Sequence, residues 1–146
     1  MEKIRVIVAD DHPFVRIGIR KILNKTPDIL VVGEAADGQQ ALELVEQLKP
    51  DVLLLDVEMP RLNGIQVAVQ LRSQGSPVRT LVLSAYEDRH HILGMLNNGV
   101  AGYLTNEEVP DTLVKAVRDI ASGQRGWVSQ RLAEKLSAWK IRPREG

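Results

Sequence analysis

The chain has 146 residues, of which 44% are hydrophobic, 26% charged and only 3% aromatic, the balance of one globular domain with a short extension. Its 19 basic and 19 acidic residues cancel, so bulk charge selects neither polyanions nor acidic membranes. Cysteine is absent, which excludes disulfide frameworks, thiol catalysis and thiolate zinc sites and fits a reducing compartment.

In chain order, short β-like runs alternate with stretches of helical period. IRVIVA from Ile4 leads into Pro13 to Lys25, where Phe14, Ile17, Ile22 and Leu23 form an apolar stripe. LVVGEA from Leu30 precedes an amphipathic stretch from Gly38 to Leu48, and DVLLLD from Asp51 precedes one from Gly64 to Gln74. RTLVLS from Arg79 is followed by Asp88 to Asn98. AGYL from Ala101 is followed by Pro110 to Ser122, with Leu113, Ala116, Val117 and Ile120 on one side. Pro13 and Pro110 suit first helical turns, and Gly75, Gly99 and Gly123 sit just past helix ends. Three of the β runs are almost unbroken aliphatic, as strands covered on both faces require. The alternation predicts an α/β fold, a doubly wound parallel (βα)5 sheet over residues 1–123.

Beyond Gly123 the character changes. Residues 124–146 hold six basic residues (Arg125, Arg131, Lys135, Lys140, Arg142, Arg144) against two acidic ones, leaving 13 basic and 17 acidic residues before them. A core at minus four thus carries a tail at plus four. Ser129 to Trp139 reads as one more short helix with Leu132, Leu136 and Trp139 along one side, a C-terminal helical extension or basic linker. Cations without interleaved stacking residues beyond Trp127 and Trp139 describe a solvated end more than a nucleic-acid site.

In open parallel sheets the functional crevice lies beyond the carboxyl ends of the strands. Here the first strand ends in Asp10-Asp11, the third in Asp56 followed by Val57-Glu58-Met59-Pro60, the fourth in Ser84, and Asn106 follows the fifth. Taken singly, Asp10 and Asp11 read as acids at a helix N-terminus, Asp56 as a turn residue and Ser84 as a strand-end hydroxyl bonded to backbone. Jointly, if the first and third strands are neighbours, three carboxylates converge and repel unless a cation lies among them. Magnesium, a hard ion held by one or two carboxylates with waters or phosphate oxygens, suits Asp10, Asp11 and Asp56, and a carboxylate there can accept a phosphoryl group. His12, His90 and His91 are too few for most histidine metal centres, and the adjacent pair reads as solvated helix residues.

The segments VIVADDHPFVRIGIRKIL, LLLDVEMPRLNGIQV, LVLSAY and GVAGYL together resemble the receiver domain of two-component response regulators over residues 4–122. DDHP with R-x-G-x-R resembles the LuxR/FixJ-type, NarL-like branch of transcriptional regulators. The resemblance implies a flavodoxin-like strand order, with Asp56 accepting a phosphoryl group from a sensor histidine kinase. It implies Mg2+ held by Asp10, Asp11, Asp56 and the backbone carbonyl of Glu58, Ser84 as the hydroxyl that binds the phosphoryl oxygen, and Tyr103 as the switching aromatic. One departure stands out: the chain reads Tyr103-Leu104-Thr105-Asn106 where receivers place a lysine. A neutral amide at Asn106 forfeits a charge-assisted hydrogen bond of about 1.5 to 3 kcal/mol. Two readings follow, a phosphorylatable receiver with altered coupling or a degenerate one acting as a protein-interaction module.

Other classes fit less well. Asp56-Val57-Glu58 copies the D-x-D of haloacid-dehalogenase-type phosphohydrolases, but it ends the third strand, not the first. A flavin site lacks a Ser/Thr/Gly-rich phosphate loop after the first strand. No apolar run reaches the roughly 18 to 20 residues of a membrane span and the N-terminus lacks signal-peptide order, so a non-enzymatic cytoplasmic signalling domain without membrane contact is expected. SGQRGWVSQRLAEKL resembles the start of a linker and RPRE the opening of a DNA-binding module. The expected protein is a fragment of a longer regulator, or a stand-alone receiver with a basic tail. It would contact DNA only through an output domain outside this chain, and could pair as a homodimer through the fourth-helix, fifth-strand and fifth-helix face or the first and fifth helices.

Overall fold

Five short aliphatic segments pair in parallel in the order β2-β1-β3-β4-β5: β1 (Ile4–Ala9), β2 (Ile29–Ala35), β3 (Val52–Asp56), β4 (Arg79–Ser84) and β5 (Gly102–Thr105). Between and after them run α1 (Pro13–Asn24), α2 (Gly38–Leu48), α3 (Gly64–Ser73), α4 (Arg89–Asn97), α5 (Val109–Ala121) and α6 (Gln130–Lys140). The computed structural model describes residues 2–86 and 88–140. This is the expected flavodoxin-like order, and its direction reverses between β1 and β3, where the crevice opens.

The unbroken apolar strands follow from two-sided cover. On one face Val6, Val8, Leu54 and Leu81 pack with Ile19 and Leu23 of α1 and with Leu113, Ala116, Val117 and Ile120 of α5. On the other, Ile7, Leu53 and Leu55 meet Ala41 and Val45 of α2 and Val67 and Leu71 of α3. Local signals fix the helix starts: Asp37 accepts from Gln40 N (2.8 Å), Asn63 and Gln66 form a reciprocal capping box, and Asp88 accepts from His91 N (3.2 Å). Proline at the first turn opens α1 and α5, as read.

The stripe expected on the first helix holds only in its later turns, where Leu23 is buried and Ile22 packs against the core. Phe14 is 91% exposed and Ile17 also faces outward, while Ile19 and Leu23 are buried. The first turn of α1 lies beside the crevice, which Val15 lines, so only the later turns have sheet to cover.

The tail also departs from a solvated end. Trp127 forms a parallel bridge with Gly102 at the free edge of β5: its N–H donates to the Ala101 carbonyl and its carbonyl accepts from Tyr103 N, both at 2.9 Å. A Cβ on Gly102 would stand 3.0 Å from the Trp127 carbonyl oxygen and 2.8 Å from Ile120, so only glycine admits this approach. The Trp127 indole N–H donates to Asp119 (3.0 Å). Ser129 opens α6, accepting from Leu132 N (3.1 Å), and Leu132 is fully buried. The Trp139 side chain and the RPRE segment lie outside the described residues.

Leu23→Ala should cost about 2–5 kcal/mol in urea unfolding, as deletion of a buried core side chain does. Phe14→Ala should stay within about 0.5 kcal/mol, as surface substitutions do. Equal losses would restore the expected stripe.

Candidate functional site

Register alone builds the site. Ala9 of β1 lies opposite Leu55 of β3, so Asp10 and Asp56, each one residue further on, emerge side by side at the carboxyl edge. Carboxylate oxygens of Asp10, Asp11 and Asp56 and the Nδ1 of His12 all lie within 4.8 Å of one another. The Asp10 side chain is 6% exposed, Asp56 15% and Asp11 32%, so charge sits close together and largely out of water.

Helix capping does not account for this cluster. The residue before α1 is His12, no side-chain cap is made there, and the first turn carries no acid. Asp10 Oδ1 accepts from the His12 backbone N–H (2.8 Å) and lies 3.0 Å from the His12 ring. Asp11 Oδ1 is equally near that ring, yet it is buried and out of line for a hydrogen bond, an orphaned acceptor facing the cluster. Asp56 accepts one long bond, from Glu58 N at 3.3 Å.

Burial, followed by the negative charge of Asp10, pushes the Asp56 carboxyl up to about 7, against the Glu58 N–H and nearby His12, which favour ionisation. His12 is raised in turn by its hydrogen bond to Asp10 and the charges of Asp11 and Asp10. An orphaned buried oxygen among three hard carboxylates is the donor set of a divalent cation such as Mg2+, so Asp10, Asp11 and Asp56 fit one.

The surrounding residues complete a cleft of ≈ 200 Å3 that Asp10, His12, Asp56, Glu58, Ser84 and Asn106 share. Ser84 is 1% exposed and accepts from Tyr86 N (3.0 Å), the strand-end bond expected of it. Gly64 brings α3 against the strand end: its N–H donates to the Val57 carbonyl (2.7 Å), and a Cβ there would lie 2.9 Å from the Asp56 carbonyl oxygen. Tyr103 stands behind the cleft, fully buried, with its hydroxyl donating to the Tyr86 carbonyl (2.7 Å).

Sequence reasoning missed three participants. His12 was weighed only as one of three histidines, although its place beside Asp10-Asp11 was the signal. Tyr86 stacks on His91 (ring centroids 4.1 Å) and donates its hydroxyl to the Glu58 carboxylate, so His91 is not merely solvated. Arg16, in the R-x-G-x-R run, donates to the Asp10 carbonyl (2.5 Å) and, with Arg20 (2.6 Å), pairs with Glu34 on β2, fixing the loop that carries the acids.

The model of the response regulator receiver domain matches residues 6–118. This chain belongs to that family. The transcriptional regulatory protein DegU of Brevibacillus brevis is 39% identical over 121 residues, 83% of this chain and 51% of that protein. The probable transcriptional regulatory protein NarL of Mycobacterium tuberculosis is 44% identical over 123 residues, 84% of this chain and 57% of that protein. A crystal structure of a LuxR-family two-component response regulator from an Aurantimonas species superposes with TM-score 0.89 at 29% identity, covering 96% of this chain and 99% of that one. The receiver thus spans about half the length of the curated relatives it matches, and it is of the NarL/LuxR type.

The raised Asp56 gives this receiver a pH signature. Between about 4 and about 7 the unfolded chain has released the Asp56 proton and the folded protein has not, so stability falls as pH rises through that window. In EDTA, urea midpoints of the wild type should decline across it, and Asp56→Asn should flatten the decline apart from a remainder near neutrality from His12. Added magnesium should restore the loss at the upper end. Parallel profiles for wild type and variant would show that Asp56 does not titrate in this way.

Proposed function

We propose that Asp56 is the phosphoacceptor of this receiver, taking a phosphoryl group from a phosphohistidine on a sensor histidine kinase. The observation that carries the reading is the convergence of Asp10, Asp11 and Asp56 beside a cleft that also contains Ser84 and Asn106. An Asp56 carboxylate oxygen forms the new O–P bond as the histidine N–P bond breaks, and the imidazole nitrogen leaves with the electron pair and takes a proton. Mg2+, held by Asp10, Asp11, Asp56 and the Glu58 backbone carbonyl, supplies the charge neutralisation that lets an anion approach these acids.

Ser84 and Asn106 serve as hydrogen-bond donors to the phosphoryl oxygens, and Tyr103 is the aromatic that senses their movement. Asn106 lacks the charge of a lysine but lines the same cleft as Asp56, so the degenerate reading is not favoured. Residues 124–146 are the linker to a helix-turn-helix output through which the longer, cytoplasmic regulator binds DNA, with phosphorylation governing homodimerisation. Among the described residues no helix is long and apolar enough to cross a membrane.

Acetyl phosphate or phosphoramidate with magnesium should add one phosphoryl group, seen by intact mass under mild conditions, and Asp56→Asn should abolish the addition. No added mass at any magnesium concentration would move the protein to the degenerate class. Asn106→Lys, restoring a charge-assisted bond of about 1.5–3 kcal/mol, should strengthen the dependence of dimerisation on phosphorylation in sizing experiments. Unchanged dimerisation would remove Asn106 from the coupling.

A further inference from the structure

Two backbone arms carry the donors of the cleft, and both lean on the C-terminal segment. The first runs from Ser84, at the end of β4, into the β4–α4 loop. Tyr103 holds the Tyr86 carbonyl (2.7 Å), and Tyr86 N in turn donates to Ser84 Oγ (3.0 Å). Tyr103 shares one buried cluster with Ile92, Met95, Val82, the α6 residue Leu132 and Val57, the neighbour of Asp56. The second arm is the turn Thr105–Glu108, which contains Asn106. Glu108 closes it by accepting from Thr105 N (3.1 Å) and Thr105 Oγ1 (2.9 Å). Arg131 of α6 reaches both partners, with Nη2 at 3.3 Å from Thr105 Oγ1 and Nε at 3.7 Å from Glu108 Oε2.

We propose that docked α6 is a positioning element of the phosphoacceptor cleft, with Leu132 anchoring the Tyr103–Tyr86–Ser84 arm and Arg131 the turn that presents Asn106. The proposal rests on the reading of Asp56 as acceptor. Magnitudes divide the two roles. Leu132 is fully buried, whereas Arg131 is 45% exposed, so Leu132 holds the helix down and the Arg131 ion pair sets where the turn sits. Because the same contacts that seat α6 also aim Ser84 and Asn106, a ligand that uses those two donors favours the docked helix, and the docked helix favours that ligand by the same factor. The linker leaving the receiver is then a reporter of its own cleft, and the tie from Arg131 acts on the turn that a lysine would otherwise tether from inside.

The test is a titration of the full chain with beryllium fluoride and magnesium, a phosphoryl mimic, followed by tryptophan fluorescence and amide exchange. Leu132→Ala and Arg131→Ala should each weaken apparent affinity about fivefold or more, and should speed exchange at Tyr86 and across Thr105–Glu108. Beryllium fluoride should slow exchange from Leu132 to Leu136 in the wild type. Leu71→Ala, in the core cluster under α3, serves as a control that loosens packing elsewhere and should keep wild-type affinity. Wild-type affinity in both α6 variants, or an equal loss in Leu71→Ala, would overturn the proposal. A wild type that binds no beryllium fluoride would instead remove the phosphoacceptor reading on which it rests.

Discussion

The parallel pairing of β1 with β3 is the constraint on which the rest of this molecule depends. It sets Asp10 and Asp56 level with each other and carries Asp11 along, so three carboxylates lie within 4.8 Å where little water reaches them. Two ionised carboxylates at that separation repel by about 3 kcal/mol at the effective dielectric of a protein surface. The response is visible around the cluster: His12 leans on Asp10 and Asp11, the Glu58 N–H points at Asp56, and Asp56 holds its proton up to about 7. The core of aliphatic strands has to overcome this local repulsion, and a cation or the positive end of a ligand complex relieves it. Folding energy therefore maintains a site that binds.

Most of the fold was legible because period and punctuation agreed. Three strands with no polar interruption could only be covered on both sides, and Pro13 and Pro110 marked first helical turns that the structure bears out; the side-chain caps of Asp37, Asn63 and Asp88 emerge only in the structure. The first helix was read correctly at Ile22 and Leu23 and wrongly at Phe14 and Ile17, because periodicity does not say where along a helix the sheet stops. Phe14 belongs to the stripe by spacing, but its turn lies beyond the surface that Ile19 and Leu23 cover.

The site was legible in its acids and not in its neighbours. Strand ends can be predicted, and with them Asp10, Asp11, Asp56 and Ser84. The Tyr86 hydroxyl on Glu58, its ring on His91 and the reach of Arg16 to the Asp10 carbonyl depend on loop paths that no local pattern encodes. The helix expected over Ser129 to Trp139 is present as α6, with Leu132 buried and Leu136 packed beside it, but its docking was not legible. Counting its cations describes the side that faces water, and the apolar side of the helix was legible in Leu132 and Leu136, whereas the Trp127 bridge to Gly102 that brings the segment against β5 was not.

That attachment changes how the missing lysine should be weighed. A lysine would tie the phosphoryl group to the end of β5 through one charged side chain, and with Asn106 the tie is shorter and neutral. The turn bearing Asn106 is nonetheless closed by Glu108 onto Thr105 and reached from outside by Arg131, so its position is fixed by contacts that do not pass through the cleft. Capture of a phosphoryl group needs donors already in place, while switching needs the placement of those donors to be felt elsewhere. On the proposed reading, a turn closed by Glu108 with a neutral donor would meet the first need, and a helix seated on the same turn and on the same buried cluster as Tyr103 would meet the second.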